Sequence, residues 1–229
     1  MDPLYLIYII KIIAPLITGI IALIAGLIEL RLNSKNWLNR WFFSFFLSAS
    51  LAHLVYSIYH LVIITESITS IGAVITQIFF NFIPISLVMT VFVLEKFSKG
   101  AMSLRYLGIM MLIFIIMSLG YFFLPPIPNS TKFTQRIIDT DTNPIWFISV
   151  NILRMGLFGY ALFKYGMIIK KTENEAKQRM RWFFIGILII IIGLIFNLLG
   201  GIIKNTLIEI LALILFNIGT ITIVKGFFI

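Results

Sequence analysis

The sequence predicts an all-α membrane protein, a single bundle of seven transmembrane helices with its N-terminus outside the cell and its C-terminus in the cytoplasm. Seven apolar stretches account for most of the 229 residues, and each is close to the ~20 residues that cross a bilayer. Hydrophobic residues make up 60% of the chain and charged residues only 12%, about half the charged share of a soluble domain. No polar segment is long enough for a second core, so residues 1–229 are predicted to form one domain.

The seven apolar stretches give the predicted helices in chain order. Most connections between them are short, and short connections make consecutive helices antiparallel neighbours. The predicted spans are residues 4–30, 41–64, 70–94, 104–124, 145–168, 182–203 and 207–227.

Small residues and prolines predict how these helices pack. Helices in lipid associate through close contact, which small side chains permit. Two spans carry such faces: Gly19, Ala22 and Gly26 in the first, and Gly186, Gly193 and Gly200 in the sixth. Pro15 in the first span and Pro84 in the third are expected to kink or loosen their helices.

The basic residues predict the orientation, because loops rich in Lys and Arg stay in the cytoplasm. Most of them follow the first, third and fifth spans or lie at the C-terminus: Arg31, Lys35, Arg40, Lys96, Lys99, Arg105, Lys164, Lys170, Lys171, Lys177, Arg179, Arg181 and Lys225. The opposite side has Lys11, Lys132, Arg136 and Lys204. Since Met1-Asp2-Pro3 lacks the basic start of a cleavable signal peptide, the first span is expected to be retained.

Two connections are long enough to have structure of their own. Prolines at both ends of residues 125–144 favour an extended, ordered segment on the outer side. The inner link before the sixth span is rich in helix formers, so it is predicted to extend the fifth and sixth helices. Its basic residues are predicted to contact a cytoplasmic partner or anionic lipid headgroups: Lys170, Lys171, Lys177, Arg179 and Arg181. The alternative is an ordinary positive-inside loop.

The second span carries a polar stripe. Ser50, His53, Tyr56, Ser57 and His60 fall on one helix face. Polar groups in hydrocarbon are costly, so each is a candidate for a site. The stripe is predicted to line a cavity, bind a ligand or sense pH through histidine. The alternative is that it makes hydrogen bonds between helices.

Arg154 is a formal charge well within the fifth span. Glu209 in the seventh span lies at a similar depth, since a helix rises 1.5 Å per residue. The sequence therefore predicts an Arg154–Glu209 pair, with Asn151 one turn above Arg154 as a third member. The pair is either structural or in contact with a ligand or ion. Lys11 and Glu29, near the two ends of the first span, are expected to reach the membrane interface.

Composition excludes several kinds of chemistry. Cysteine is absent, which removes disulfides, thiolate nucleophiles and Cys-based zinc sites. His53 and His60 are two turns apart, with no nearby carboxylate to complete a metal site. The sequence contains no phosphate-binding loop and no nucleophile–base spacing. It therefore predicts no enzymatic activity, no cofactor and no metal site.

Two segments resemble a known family. Residues 36–47, NWLNRWFFSFFL, and residues 177–186, KQRMRWFFIG, resemble the entries to the second and sixth helices in the seven-helix N-terminal sensor modules of prokaryotic histidine kinases and cyclases. Helix count, orientation and loop sizes also agree. The resemblance implies a sensor in a prokaryotic cell membrane that relays an outer or intramembrane signal to a cytoplasmic output domain. Because the chain stops at Ile229, directly after the last span, the expected output is through a separate partner; the alternative is a stand-alone relative of the family with another role.

Three functions remain open on the sequence. A receptor-like or sensor-like membrane protein is favoured over a small-solute transporter and a structural subunit of a larger membrane complex. Transporters often contain internal repeats, and the first three spans show no similarity to the last three. The expected partners are membrane lipid and either a cytoplasmic signalling protein or other membrane subunits. Nucleic acid is not expected, because the net charge of +9 follows the topology.

Overall fold

A computed structural model of the protein describes residues 3–62, 65–134 and 138–226. The last two residues of the predicted second span, residue 227 of the seventh span, Arg136, and the chain ends Met1-Asp2 and 227–229 lie outside the described residues.

The described residues form eight helices and two short strands. In chain order these are α1 (Pro3–Leu32), α2 (Trp37–Leu61), α3 (Glu66–Ala101), α4 (Leu104–Phe123), β1 (Ile127–Pro128), α5 (Ser130–Thr134), β2 (Thr140–Asp141), α6 (Pro144–Lys170), α7 (Asn174–Ile203) and α8 (Thr206–Lys225). All helices except the five-residue α5 are long and apolar enough to cross a membrane. The predicted all-α membrane bundle of seven spanning helices is therefore confirmed.

Side chains in the links stop and start the helices. Asn36, Asn143 and Asn205 each precede a helix, and each accepts a hydrogen bond from a backbone N–H of the first turn. Such caps satisfy N–H groups that have no partner within the helix. Pro144 then occupies the first turn of α6, where its missing N–H costs nothing.

Two helices extend further than predicted. Helix α7 begins at Asn174, so the basic link shrinks to residues 171–173, and the predicted helical extension is confirmed. Helix α3 continues to Ala101 but changes direction at Phe97, whose backbone has φ 57° and ψ 168°. A non-glycine residue is strained in that conformation, and the straight part of α3 ends there, close to the predicted end at residue 94.

Six of the long helices form a closed ring. Each helix of the ring contacts the next in the order α1, α2, α3, α6, α7, α8, and α8 contacts α1 to close the ring. Helix α4 packs against α3 on the outside of this ring. The chain therefore leaves the ring after α3 and returns to it at α6, so sequence neighbours and spatial neighbours differ at this point.

Glycines allow α7 and α8 to approach closely. A Cβ added to Gly186 would lie 2.7 Å from the carbonyl oxygen of Gly219, which is closer than real Cβ contacts. The predicted packing stripe in the sixth span is thus confirmed, and its neighbour is α8.

The two ends of the bundle differ. At one end, here called the hairpin face, residues 124–143 join α4 to α6, and β1 pairs with β2 in an antiparallel register with Ile127 opposite Asp141. The backbone N–H of Asn129 also donates to the carbonyl of Asp139 at 2.8 Å. The predicted ordered segment is thus a short hairpin. The opposite end, here called the basic face, has the links 33–36 and 171–173 and the turn after Phe97.

Candidate functional site

A central cavity of about 140 Å³ lies inside the ring of six helices. Every helix of the ring contributes to its wall, and α4 is not among the lining elements in the described part of the chain. Phenylalanine rings supply much of the surface. The polar side chains at the wall come from α2, α3, α6, α7 and α8: His53, Tyr56, Gln77, Arg154, Asn197, Glu209 and Thr220. A cavity that combines an apolar surface with a few polar groups is the usual form of a small-molecule site.

Arg154 is held in this wall by two residues of α3. Its Nε donates to Asn81 Oδ1 at 2.9 Å, and its Nη2 donates to Asn81 Oδ1 at 2.7 Å and to Gln77 Oε1 at 2.8 Å. The amide of Asn81 is itself fixed, because its Nδ2 donates to the carbonyl of Met117 in α4 at 2.9 Å. The guanidinium is therefore positioned by a network that spans three helices.

The charge of Arg154 is not balanced by an anion. Only 5% of the residue is exposed, and the acceptors of its hydrogen bonds are neutral amide and carbonyl oxygens. Within the described residues, no ion pair includes it. The face of Phe80 lies 5.8 Å from the guanidinium carbon, which provides a cation–π contact. A buried, unpaired charge is costly and is typical of a functional position within a membrane.

The predicted Arg154–Glu209 pair is wrong. Glu209 accepts a hydrogen bond from Lys11 Nζ at 2.6 Å instead. The two residues do lie at compatible depths and both line the cavity. However, α8 contacts α1 and α7, whereas α6 contacts α3 and α7. Each charged side chain thus bonds to the helix beside it.

Two further expectations about charged and polar groups also fail. Asn151 does not join Arg154, because its Nδ2 donates to the carbonyl of Phe147 in its own helix at 2.9 Å. Lys11 does not extend to the interface, since it is 6% exposed and paired with Glu209. Glu29 is also buried, at 5% exposed, and accepts a hydrogen bond from Asn39 at 3.3 Å.

Some residues of the polar stripe of α2 line the cavity, and others make hydrogen bonds within or between helices. His53 and Tyr56 line the cavity, whereas Ser57 donates to the carbonyl of Ile12 in α1 at 3.0 Å. The ring of His60 stacks on Tyr56, with 4.0 Å between centroids, and its Nδ1 lies 2.8 Å from the Tyr56 carbonyl. His53 and Tyr56 therefore line the cavity, while Ser57 joins α2 to α1.

His53 presents an unused acceptor. Its Nδ1 lies 2.8 Å from the carbonyl of Ala49, and only a protonated nitrogen can bond to that oxygen. In the neutral ring Nε2 is then the acceptor. This atom is buried and makes no hydrogen bond with the described residues. Phe80 and Phe216 contact the imidazole edge-to-face, at 5.2 and 6.0 Å, and hold it in place.

A second cavity, of about 350 Å³, lies beneath the hairpin face. It adjoins the central cavity, because Phe147 and Glu209 are in the walls of both. Asp139 is in its wall and pairs with Lys132. Burial raises the pKa of the Asp139 carboxyl, but the hydrogen bond from Lys132 and the charges of Lys11 and Lys132 outweigh it, so that pKa lies below its usual value.

The predicted contact residues of the basic face lie at the end of the bundle opposite the second cavity. Lys170 is the last residue of α6, and Lys171 follows it. Arg179 and Arg181 lie in the first turns of α7, and all four residues are exposed. Lys177 is half-buried. Their contact with a partner or with lipid headgroups stays a prediction.

Gln77 and Asn81 are site residues that were not predicted from the sequence. Their spacing of four residues places both on one face of α3, amid an otherwise apolar run. That pairing was the available signal. Lys11 was recognised as a charge, but its partner required knowledge of which helices are adjacent.

No protein-family model, curated protein or solved structure matches this chain. Within the described residues, no group of three histidine, aspartate or glutamate side chains could hold a metal ion.

Proposed function

We propose that this protein is a receptor-like sensor in the cell membrane of a prokaryote. Its central cavity takes up a small molecule, and its basic face passes the signal to a separate cytoplasmic protein. The observation that carries the proposal is Arg154, buried in a cavity within the ring of helices without an anion to balance it. A charge of this kind is expensive in a purely structural role.

The distribution of basic residues supports the orientation. Lys and Arg concentrate at the basic face, and cytoplasmic loops carry such an excess. The hairpin face and the N-terminus are then outside. In this orientation the second cavity lies on the outer side of the central cavity, and the two share Phe147 and Glu209 as wall residues.

A row of contacts between α3 and α6 supports the relay. Below Arg154 and Asn81, Tyr165 and Thr90 join their hydroxyl groups at 2.6 Å. Lys164, one residue before Tyr165, donates to Glu95 at 2.8 Å, and Glu95 lies five residues beyond Thr90 toward the basic face. We call these three contacts the α3–α6 seam, and helix α6 continues from Arg154 to the basic link, about 24 Å along its axis.

A ligand in the cavity can weaken a contact of the α3–α6 seam. A molecule that bonds to the guanidinium competes with Asn81 and Gln77, and so weakens the uppermost contact of the seam. A ligand shifts a conformational equilibrium only through such a difference between states. The basic link at the end of α6 then moves or loosens relative to α3.

Native mass spectrometry of the tagged protein, isolated from the membranes of its own cells, tests this proposal. A stoichiometric cytoplasmic protein is expected, and the double charge reversal Lys171→Glu/Arg181→Glu should reduce its amount at least ~10-fold. The control, Lys35→Glu/Lys99→Glu, changes the same charge on other links and should leave the amount unchanged. A set of membrane subunits, or no companion at all, would contradict the sensor proposal.

Transport of a small solute is the second candidate, favoured by the adjoining cavities that share Phe147 and Glu209. It predicts solute flux in liposomes that contain only this protein. Flux that disappears in Phe147→Trp and requires no partner would replace the sensor proposal with transport.

A further inference from the structure

We infer that the ligand of the central cavity is a small carboxylate with an apolar body and one N–H or O–H donor; this rests on the proposed uptake of a ligand by the cavity. The carboxylate would bond to Arg154 and the donor to Nε2 of His53. Each part of this description follows from a separate feature of the wall.

The sign of the ligand charge follows from the charges that face the cavity. Arg154 contributes a positive charge with neutral bonding partners. Glu209 is the carboxylate in the wall, and the ammonium of Lys11 at 2.6 Å balances it. The wall therefore keeps one net positive charge, and an anion is the species that restores neutrality in a site of low dielectric constant.

The chemical type of the anion follows from the guanidinium. The hydrogen bonds to Asn81 and Gln77 use Nε and Nη2. The hydroxyl of Tyr121 also lies within hydrogen-bond reach of the guanidinium, but Nη1 donates to no carboxylate among the described residues. Planar carboxylates match the geometry of guanidinium donors and make strong, charge-assisted bonds with them. A carboxylate can also take over Nη2 from the amide oxygen of Gln77, which couples binding to the seam.

The donor group follows from His53. Its Nε2 is buried, lines the cavity and has no hydrogen-bond partner among the described residues. A buried acceptor without a partner is unusual in a folded protein and costs free energy. A hydroxyl or N–H on the ligand satisfies it, whereas a cationic ligand would lie against the charge of Arg154.

The apolar body and its size follow from the space between these groups. Phe80 contacts both the imidazole of His53 and the guanidinium of Arg154, so one aromatic surface joins the two polar positions. Phe158 and Phe216 also line the cavity. Its volume of about 140 Å³ is roughly ten times what one water molecule requires, which suits a ligand of about ten non-hydrogen atoms.

Three small probes separate these features. The first, 4-hydroxyphenylacetate, has the carboxylate, the ring and the donor; phenylacetate lacks the donor; tyramine replaces the carboxylate with an ammonium. Binding to the full-length protein in lipid nanodiscs is measured by isothermal titration calorimetry. The expected order is 4-hydroxyphenylacetate about 10-fold tighter than phenylacetate, with no binding of tyramine.

Variants assign the contacts. Arg154→Gln should weaken both carboxylates at least ~10-fold, while Arg105→Gln, the same substitution at an exposed arginine, should leave binding unchanged. His53→Phe should remove the preference for the hydroxylated probe but keep the dependence on Arg154. If Arg154→Gln does not fold, Arg154→Lys keeps the charge and His53→Phe alone decides the assignment.

Several results would overturn the inference. These are tyramine binding as tightly as the carboxylates, carboxylate affinity unchanged in Arg154→Gln, or none of the probes binding at millimolar concentration. The calorimetry requires no partner protein, and the mass spectrometry requires no ligand. Binding without a cytoplasmic partner would leave the inference standing and refute the sensor; a partner without carboxylate binding would do the reverse.

Discussion

Lys11 and Arg154 are two cations that the bundle buries almost equally, at 6% and 5% exposed. Their surroundings differ. Lys11, near the hairpin face, bonds to the carboxylate of Glu209 at 2.6 Å, whereas Arg154, in the cavity wall, has only uncharged hydrogen-bond acceptors among the described residues. In the Lys11–Glu209 pair, the two charges balance and orient each other. The second site has an oriented donor and an incomplete charge balance, which is what a binding site for an anion requires.

The largest expected effect comes from breaking the first pair. Glu209→Leu removes the carboxylate that bonds to the buried Lys11, which should lower the free energy of unfolding by about 3 kcal/mol, the lower end of the range for a buried pair because 24% of the Glu209 side chain is exposed. Denaturation by sodium dodecyl sulfate in mixed micelles measures it. The double variant Lys11→Met/Glu209→Leu removes both charges and should recover most of the loss. If the double variant is as unstable as the single one, the ion pair is not the cause.

A smaller loss is expected from the support of Arg154. Asn81→Leu removes the acceptor of two hydrogen bonds from the guanidinium, and should cost about 1–3 kcal/mol. The same variant should weaken binding of 4-hydroxyphenylacetate, because Arg154 loses its fixed orientation. The matched variant Asn217→Leu, in α8, removes a hydrogen bond to the carbonyl of Ala14 and should leave binding unchanged. Equal effects of the two variants on binding would contradict the positioning role.

Removal of Arg154 should cost still less. Arg154→Gln eliminates an unbalanced buried charge while its amide can still donate to Asn81, so the free energy of unfolding should change by less than about 1 kcal/mol. Ligand binding should nevertheless fall. A loss of stability as large as that of Glu209→Leu would show that Arg154 is structural and would erase the distinction between the two cations.

Local features of this fold could be predicted from the sequence, whereas contacts between helices that are distant in the chain could not. The seven spans follow from local apolar runs, and close packing at Gly186 follows from a stripe of small residues, although the identity of its neighbour, α8, does not. The partner of Arg154 does not follow, because depth along a helix axis says nothing about lateral position. Helix α4 lies outside the ring, which brings α6 beside α3 and separates Arg154 from Glu209.

The candidate site was predicted only in part, because the sequence marks polar residues within the spans but not their partners. His53, Tyr56, Arg154 and Glu209 were singled out as polar groups in apolar spans, and all four line the cavity. Asn151 was expected to join Arg154 because it lies one helical turn away, but an Asn side chain in a helix can bond to its own backbone four residues earlier. Its carbonyl partner, Phe147, is at that spacing.

The smallest expected effect concerns an ion pair outside the spanning helices. Because the pKa of Asp139 is below its ordinary value of 3.8, its contribution to stability is present above that value and is lost as the pH falls through the lowered pKa. The pair with Lys132 is partly exposed, so the loss should be under about 1 kcal/mol. Unfolding at pH 6 and pH 3 should show it in the natural protein and not in Lys132→Met; an equal pH effect in the variant would assign it to another group.

The most direct test of the central claim is a distance measurement by solid-state NMR in lipid bilayers. Rotational-echo double-resonance spectra would use 4-hydroxyphenylacetate labelled with carbon-13 at the carboxylate and protein labelled with nitrogen-15 in arginine and lysine. The account predicts a coupling to an arginine Nη at about 4 Å or less, absent in Arg154→Gln, and no coupling to a lysine. A coupling to lysine, or an arginine coupling that persists in Arg154→Gln, would contradict it.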